Sequence, residues 1–180
     1  MQKMEFIFTL IFFLCGAIAC LLGPAFHLQW VGPIFVFTFA LVYLLASRPP
    51  ANRLKLMLCI LVIGYTVDSL LKLFGLLTFV ATDWSLGQIP LWFFCFWVLF
   101  AVSFPTLFGQ VKNYWLAFFI GFIGGPLYYF TGWKLGVLHF HTMIYLSLLS
   151  ISIAWALMLC VFVKLMQSLT HPQSTIKSNH

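Results

Sequence analysis

The apolar run over residues 54–80 decides the fold of this chain, and it contains the sequence GYTVDSLLK at residues 64–72. As a helix, the run can cross about 30 Å of hydrocarbon, because each helical residue adds about 1.5 Å. Beyond Lys55 at its start, two charged side chains, Asp68 and Lys72, interrupt it. Each charge near the centre of a membrane helix costs roughly 2.5–3.5 kcal/mol on insertion scales, so this helix needs neighbouring helices to stabilise it.

The composition places the rest of the chain in a membrane as well. Of its 180 residues, 63% are hydrophobic and 7% are charged, and the mean hydropathy is +1.08. These values exclude a water-facing surface, and the ten-residue alternating segments of a membrane β-barrel are absent. We therefore predict an all-α, polytopic membrane protein that forms a bundle of six transmembrane helices.

The apolar segments predict helices at about residues 6–22, 31–46, 54–77, 89–108, 114–131 and 142–169. They form one domain, residues 1–169, and the polar residues 170–180 form a flexible tail. A cleaved signal is the alternative for the first segment, because residues 17–20 offer small side chains before Cys20. The length of the run and the presence of Ala17 three residues before Cys20 favour a retained helix.

The basic residues lie mostly at one end of the predicted helices. That end receives Lys3, Arg48, Arg53, Lys55, Lys112, Lys164 and Lys177, whereas the opposite loops receive Lys134. Positive loops stay in the cytoplasm, so we expect both termini to be cytoplasmic. The net charge of +6 then meets anionic membrane lipids, and we do not expect nucleic acid as a partner.

Asp68 shares one face of the third helix with Gly64, Tyr65, Lys72 and Gly75, since these residues are spaced by three or four. An ion pair with Lys72 is one interpretation. A contact with the fifth helix near Gly125 is another, and this contact could serve either function or helix packing alone. Ionisable groups inside a membrane favour the functional hypothesis.

The fifth helix supplies a matching face of small and phenolic residues. On one face, at spacings of three or four, lie Gly121, Gly125, Tyr129, Gly132 and Gly136, with Gly124 and Tyr128 beside them; small residues at such spacings are also common in plain helix packing. Pro126 removes a backbone hydrogen bond in the middle of the membrane and leaves a carbonyl that needs a new partner. This pattern makes the face a candidate for ligand binding.

These patterns predict a pocket in the outer half of the membrane, with Asp68 as the candidate catalytic residue. The predicted lining is Tyr65, Asp68, Ser69, Lys72, Trp92, Gly124, Gly125, Pro126, Tyr128 and Tyr129. No metal is expected, because His139 and His141 have no acidic residue or cysteine nearby and all five cysteines lie in apolar segments. No cofactor motif is present, so we predict no cofactor.

Several short motifs resemble a known family. They are Trp30-x-Gly32-Pro33, Asp68-Ser69, Pro90-Leu91-Trp92 with Trp97, the block from Gly121 to Gly136, and Ala154-Trp155-Ala156. Their order and spacing resemble small bacterial inner-membrane proteins known as domain of unknown function 2878. The resemblance implies a bacterial inner-membrane location and, because such genes lie near fatty-acid-modifying enzymes, work on lipids or on the cell envelope.

Three functions follow as hypotheses, and whether the protein is an enzyme stays open among them. The first is a protein that modifies a lipid or fatty-acyl substrate around Asp68, or presents it to lipid-modifying partner enzymes. The second is a small proton-coupled transporter or channel with Asp68 as its proton site. The third is a non-catalytic membrane subunit whose polar face binds another helix.

Overall fold

The described part of the chain forms six helices, one in each of the apolar segments. The computed structural model describes residues 2–80, 84–141 and 143–170, so the predicted tail lies outside the described residues beyond residue 170. The helices are α1 (Gln2–Ala25), α2 (Val31–Ser47), α3 (Ala51–Leu73), α4 (Leu91–Phe108), α5 (Tyr114–Lys134) and α6 (Ile144–Thr170). The prediction of an all-α bundle of six helices is confirmed.

Five of these helices are long and apolar enough to cross a membrane, and α2, with 17 residues, is slightly shorter. Large apolar side chains cover the outside of the bundle. Phe8, Leu41, Ile123 and Leu127, for example, are each more than half exposed. A surface of this kind faces lipid, which confirms a multi-pass membrane protein.

The aromatic helix α4 lies at the centre of the bundle. It packs against α1, α2 and α3, while α6 packs against both α3 and α5. Most of the side chains of α4 are buried, including Trp92, Trp97 and Phe104. A helix that is apolar on all sides is suited to this central position.

The third helix ends earlier than predicted. It stops at Leu73 instead of residue 77, because Gly75 adopts a left-handed conformation with φ of 68°. The N–H of Leu76 then donates to the carbonyl of Leu71, and that of Gly75 donates to the carbonyl of Lys72, which is the Schellman arrangement. Lys72 therefore lies in the last turn of α3.

A left-handed glycine, Gly136 with φ of 73°, ends helix α5 through the same pair of hydrogen bonds. It continues to Lys134, three residues beyond the predicted end. The chain after α3 and the chain after α5 form two short strands, β1 (Thr78–Phe79) and β4 (Leu138–His139), which pair antiparallel. Main-chain hydrogen bonds therefore join the connections that follow these two helices.

A second short hairpin precedes α4. Its strands are β2 (Ser85–Leu86) and β3 (Ile89–Pro90), so the fourth helix begins at Leu91 instead of residue 89. Pro90 takes an extended conformation immediately before the helix. This position suits proline, which has no N–H to donate and a fixed φ.

Two glycines let tryptophan side chains enter the helix interfaces. A Cβ atom at Gly64 of α3 would lie 2.2 Å from the ring of Trp97, and one at Gly125 of α5 would lie 2.2 Å from Cγ of Trp155. Gly124, by contrast, is exposed, and among the described residues no atom beyond its own stretch of helix lies within 4 Å of such a Cβ. Neighbouring glycines of α5 thus have opposite surroundings.

We expect Gly125→Ala to destabilise the protein by about 1–3 kcal/mol, because the new methyl group overlaps Trp155 and the two helices must move apart. Gly124→Ala is the matched control, and its effect should stay within about 0.5 kcal/mol, since its methyl group faces lipid. Thermal unfolding of both purified variants in the same detergent measures the difference. Equal shifts would contradict the packing described for α5 and α6.

Candidate functional site

Asp68 is completely buried in the last turns of α3. Its relative exposure is 0%, and it lies five residues before the end of the helix at Leu73. At about 1.5 Å per residue, the side chain is roughly 7–8 Å from that end and about 26 Å from the start of α3. Asp68 therefore lies near the end of α3 that is remote from Lys3.

Aromatic donors occupy both oxygens of the Asp68 carboxyl group. Trp97 Nε1 of α4 donates to Oδ2 at 2.5 Å, and the Tyr129 hydroxyl of α5 donates to Oδ1. Trp155 Nε1 of α6 in turn donates to the Tyr129 hydroxyl at 3.4 Å. We refer to Asp68, Trp97, Tyr129 and Trp155 as the Asp68 centre, and it joins four helices.

The rings of the Asp68 centre also pack against one another. Trp97 and Trp155 stack with centroids 5.0 Å apart and planes 19° apart, and Trp155 meets Tyr129 edge to face. Each of the three aromatic side chains is at most 4% exposed. The centre is therefore dry, and the low local dielectric strengthens its hydrogen bonds.

The structure decides between the two sequence interpretations of Asp68. Lys72 does not pair with it, because the Lys72 amine donates to the backbone carbonyl of Gln88 at 2.7 Å. The contact with the fifth helix is the one that forms, and it uses Tyr129, one turn beyond Gly125. A carboxyl group held by hydrogen bonds from neutral donors replaces the ion pair that the spacing favoured.

Two further predicted pocket residues lie on the same face of α3 but have other partners. The Tyr65 hydroxyl donates to the carbonyl of Leu86 at 2.9 Å, and Ser69 donates to the carbonyl of Tyr65 at 2.8 Å. Tyr65 and Lys72 thus attach the hairpin before α4 to α3. Neither of them contacts the Asp68 carboxyl group.

The glycine face of α5 is filled by protein. Trp155 occupies the space beside Gly125, and the backbone carbonyl of Trp155 would lie 2.5 Å from a Cβ at Gly121. Pro126 is half-buried, and Gly124 faces outwards. Trp155 therefore occupies the face that the glycine spacing marked as a candidate for ligand binding.

Trp92 and Tyr128 carry buried polar atoms that have no hydrogen-bond partner among the described residues. These atoms are Trp92 Nε1 and the Tyr128 hydroxyl oxygen. Both side chains touch the ring of Phe93, with centroid distances of 5.3 Å and 5.9 Å, and the same ring lies 5.5 Å from Tyr129. Unsatisfied donors of this kind are rare and are expected to receive a water or ligand oxygen.

Two cavities among the described residues differ widely in size. A cavity of about 10 Å³, room for about one water, is lined by Gln29, Trp30, Trp84, Leu91 and Trp92. A much wider cavity of about 1530 Å³ lies at the other end of the bundle, beside Lys3, Arg53, Lys112 and Lys164, and no residue of the predicted pocket lines it. The sequence pattern predicts the orientation of these four basic residues and their contact with anionic lipids, but it does not predict a cavity between them.

Trp97 and Trp155 are the members of the Asp68 centre that the sequence analysis left out of its pocket. Their motifs contain them, but nothing in the spacing of residues on different helices indicates that their ring nitrogens meet Asp68 and Tyr129. Their partners Gly64 and Gly125 were the available signal, because a glycine in a membrane helix admits a large side chain from a neighbour.

The family described as "Protein of unknown function (DUF2878)" matches residues 6–161 of the chain. The match spans all four helices of the Asp68 centre, and it confirms the resemblance found in the sequence. No curated protein and no solved structure matches the chain.

We expect Tyr129→Phe to destabilise the protein by about 1–3 kcal/mol, because it leaves one oxygen of the buried Asp68 carboxyl group without a donor. Tyr128→Phe should have little effect on stability or raise it, since the hydroxyl that it removes has no protein partner. Thermal unfolding in one detergent compares the two. A Tyr128→Phe variant that loses as much stability as Tyr129→Phe would contradict the hydrogen bonds described here.

Proposed function

The chain belongs to the DUF2878 family, and we propose that it modifies or presents a lipid or fatty-acyl substrate in the outer half of a bacterial inner membrane. The proposed site consists of the Asp68 centre together with Trp92 and Tyr128. The observation that carries the proposal is a carboxyl group buried at membrane depth and held by hydrogen bonds from two neighbouring helices.

A purely structural role would not require this carboxyl group. Its burial costs free energy, and apolar residues of similar volume often pack in such positions with equal or greater stability. Ionisable groups inside a membrane are typically associated with substrate or ion handling. The Asp68 centre therefore supports a function beyond packing.

The unpartnered donors supply a reason for choosing a lipid as substrate. A buried donor without an acceptor costs about 1–3 kcal/mol, and both Trp92 Nε1 and the Tyr128 hydroxyl are in this situation. The ester and carboxyl oxygens of a lipid are acceptors, and a lipid reaches this depth from the bilayer itself. A bound lipid oxygen would satisfy a donor that the protein leaves unpaired.

Each polar group of the site then has a role. Trp92 and Tyr128 would hold an oxygen of the substrate, and Asp68 would orient the Tyr129 hydroxyl by accepting its hydrogen bond. Because aromatic side chains fill the space around Asp68, substrate entry would require Phe93 or Tyr128 to change rotamer. Gly124 and Leu127 are exposed on α5, the helix that carries Tyr128. They mark the lipid-facing side from which the substrate would enter.

The orientation is part of the same proposal. Lys3, Arg53, Lys112 and Lys164 line the cavity at one end of the bundle, whereas Lys72 and Lys134 lie in the last turns of α3 and α5 at the other end. With the first end in the cytoplasm, as positive loops require, both termini are cytoplasmic and Asp68 lies in the outer half of the membrane.

Proton-coupled transport is the second candidate, and one observation favours it. The two oxygens of Asp68 meet only neutral donors, so gain or loss of a proton would change the charge of the centre without any compensating cation. Proton-coupled transporters commonly use buried carboxyl groups in this way. The variant Asp68→Asn would then abolish proton-driven uptake in vesicles.

We expect deletion of the gene to change the lipid composition of the source organism and Asp68→Asn to fail to restore it, while the variant protein is produced at a normal level. Tyr128→Phe should restore the composition only partly, although it folds normally. Mass spectrometry of total lipid extracts is the measurement, and it requires no prior choice of substrate.

Tyr43→Phe is the matched control for this experiment. It also removes a buried hydroxyl without a partner, but one that lies on α2 near Ser47, so it should restore the lipid composition fully. Full restoration by Asp68→Ala would refute the role of Asp68. An unchanged lipid composition, together with a partner protein that co-purifies in equal amount, would favour a non-catalytic subunit instead.

A further inference from the structure

We infer that the wide cavity at the Lys3 end of the bundle is a binding site for the headgroup of an anionic phospholipid. This basic cavity has a volume of about 1530 Å³, and side chains of α1, α3, α4, α5 and α6 line it. The inference does not rest on the proposed function, because no residue of the Asp68 centre lines the cavity.

The charge of the basic cavity favours an anion. Lys3, Arg53, Lys112 and Lys164 line it and Glu5 is its one acidic residue among the described residues, which leaves an excess of three positive charges. Within the described part of the chain, none of the four basic side chains has a hydrogen-bond or ion-pair partner. Their charges are therefore available to a ligand.

The helix ends do not oppose this charge. The N-terminal ends of α1, α3 and α5 contribute to the lining, against the C-terminal ends of α4 and α6. Helix N-termini carry partial positive charge and C-termini partial negative charge. The two contributions largely cancel, so the charged side chains determine the sign of the electrostatic potential in the cavity.

The lining also has an apolar part, which distinguishes a lipid from a soluble anion. Phe6, Ile7 and Leu169 line the cavity beside the basic residues, and none of them is buried. A phospholipid would place its phosphate among the cations and the start of its acyl chains against these side chains. Free phosphate would leave the apolar surface in contact with water, which is unfavourable.

Cross-helix hydrogen bonds join the helices that line the cavity. Asn52 Nδ2 donates to the carbonyl of Leu169 at 2.9 Å and joins α3 to α6, and the Tyr114 hydroxyl donates to Oε1 of Gln167 at 2.7 Å and joins α5 to α6. Neither bond uses a basic side chain. The basic side chains are therefore not needed to join these helices and remain available to a ligand.

The test is native mass spectrometry of the full chain in detergent, titrated with phosphatidylglycerol, with phosphatidylcholine, or with inorganic phosphate. We expect phosphatidylglycerol to bind and the double variant Lys112→Gln/Lys164→Gln to weaken its binding by roughly 25-fold, at about 5-fold for each cation near the membrane surface. Arg48→Gln/Lys55→Gln is the matched control. It removes two charges outside the cavity lining, so binding should change less than about 2-fold.

Glu5→Gln provides an independent arm that does not depend on the folding of the double variant. It removes the acidic residue of the cavity, so phosphatidylglycerol should bind more tightly, by about 5-fold. Equal losses in the two double variants would overturn the site, as would equal binding of phosphatidylcholine or an unchanged affinity in Glu5→Gln. Inorganic phosphate that displaces phosphatidylglycerol at similar concentration would overturn the choice of a lipid in favour of a soluble anion.

Discussion

The arrangement of this bundle depends on how the carboxyl group of Asp68 is satisfied inside the membrane. The hydrocarbon of the bilayer offers no hydrogen-bond donors, so those of the carboxyl group come from the protein. Trp97 and Tyr129 supply them from two different helices, and Trp155 supports Tyr129 from a third. This requirement fixes the distance between α3, α4, α5 and α6 more narrowly than apolar contacts do, because hydrogen bonds are directional and apolar contacts are not.

Glycine is what makes these distances possible. Trp97 reaches Asp68 because Gly64 leaves space for its ring, and Trp155 lies against α5 because Gly125 does the same. In lipid, helices gain no hydrophobic free energy by associating, so close packing and interhelical hydrogen bonds hold them together. At the Asp68 centre, the same tryptophan side chains provide both.

The sequence was sufficient to predict the number of helices, but it was not sufficient to predict the contacts between them. Apolar length predicts six segments, and the charge of Asp68 marks the residue around which the site forms. The end of α3 was misplaced because Leu76 and Leu77 continue the apolar run, whereas the conformation of Gly75 ends the helix. The pairing of Asp68 with Trp97 and Tyr129, instead of with Lys72, depends on helices that are far apart in the chain, and periodicity within one helix carries no information about them.

The two ends of α3 and α5 are restrained by bonds of different kinds. Beyond Gly75 and Gly136, the strands β1 and β4 pair through their backbones, and Val80 adds a further bond to Val137. At the Lys3 end, the bonds that reach α6 come from the side chains of Asn52 and Tyr114. Side-chain bonds near water exchange readily, whereas a backbone ladder opens only as a unit. If these helices separate, the separation therefore begins at the basic end and pivots about the paired strands, with the Asp68 centre close to the axis of rotation, where displacements are smallest.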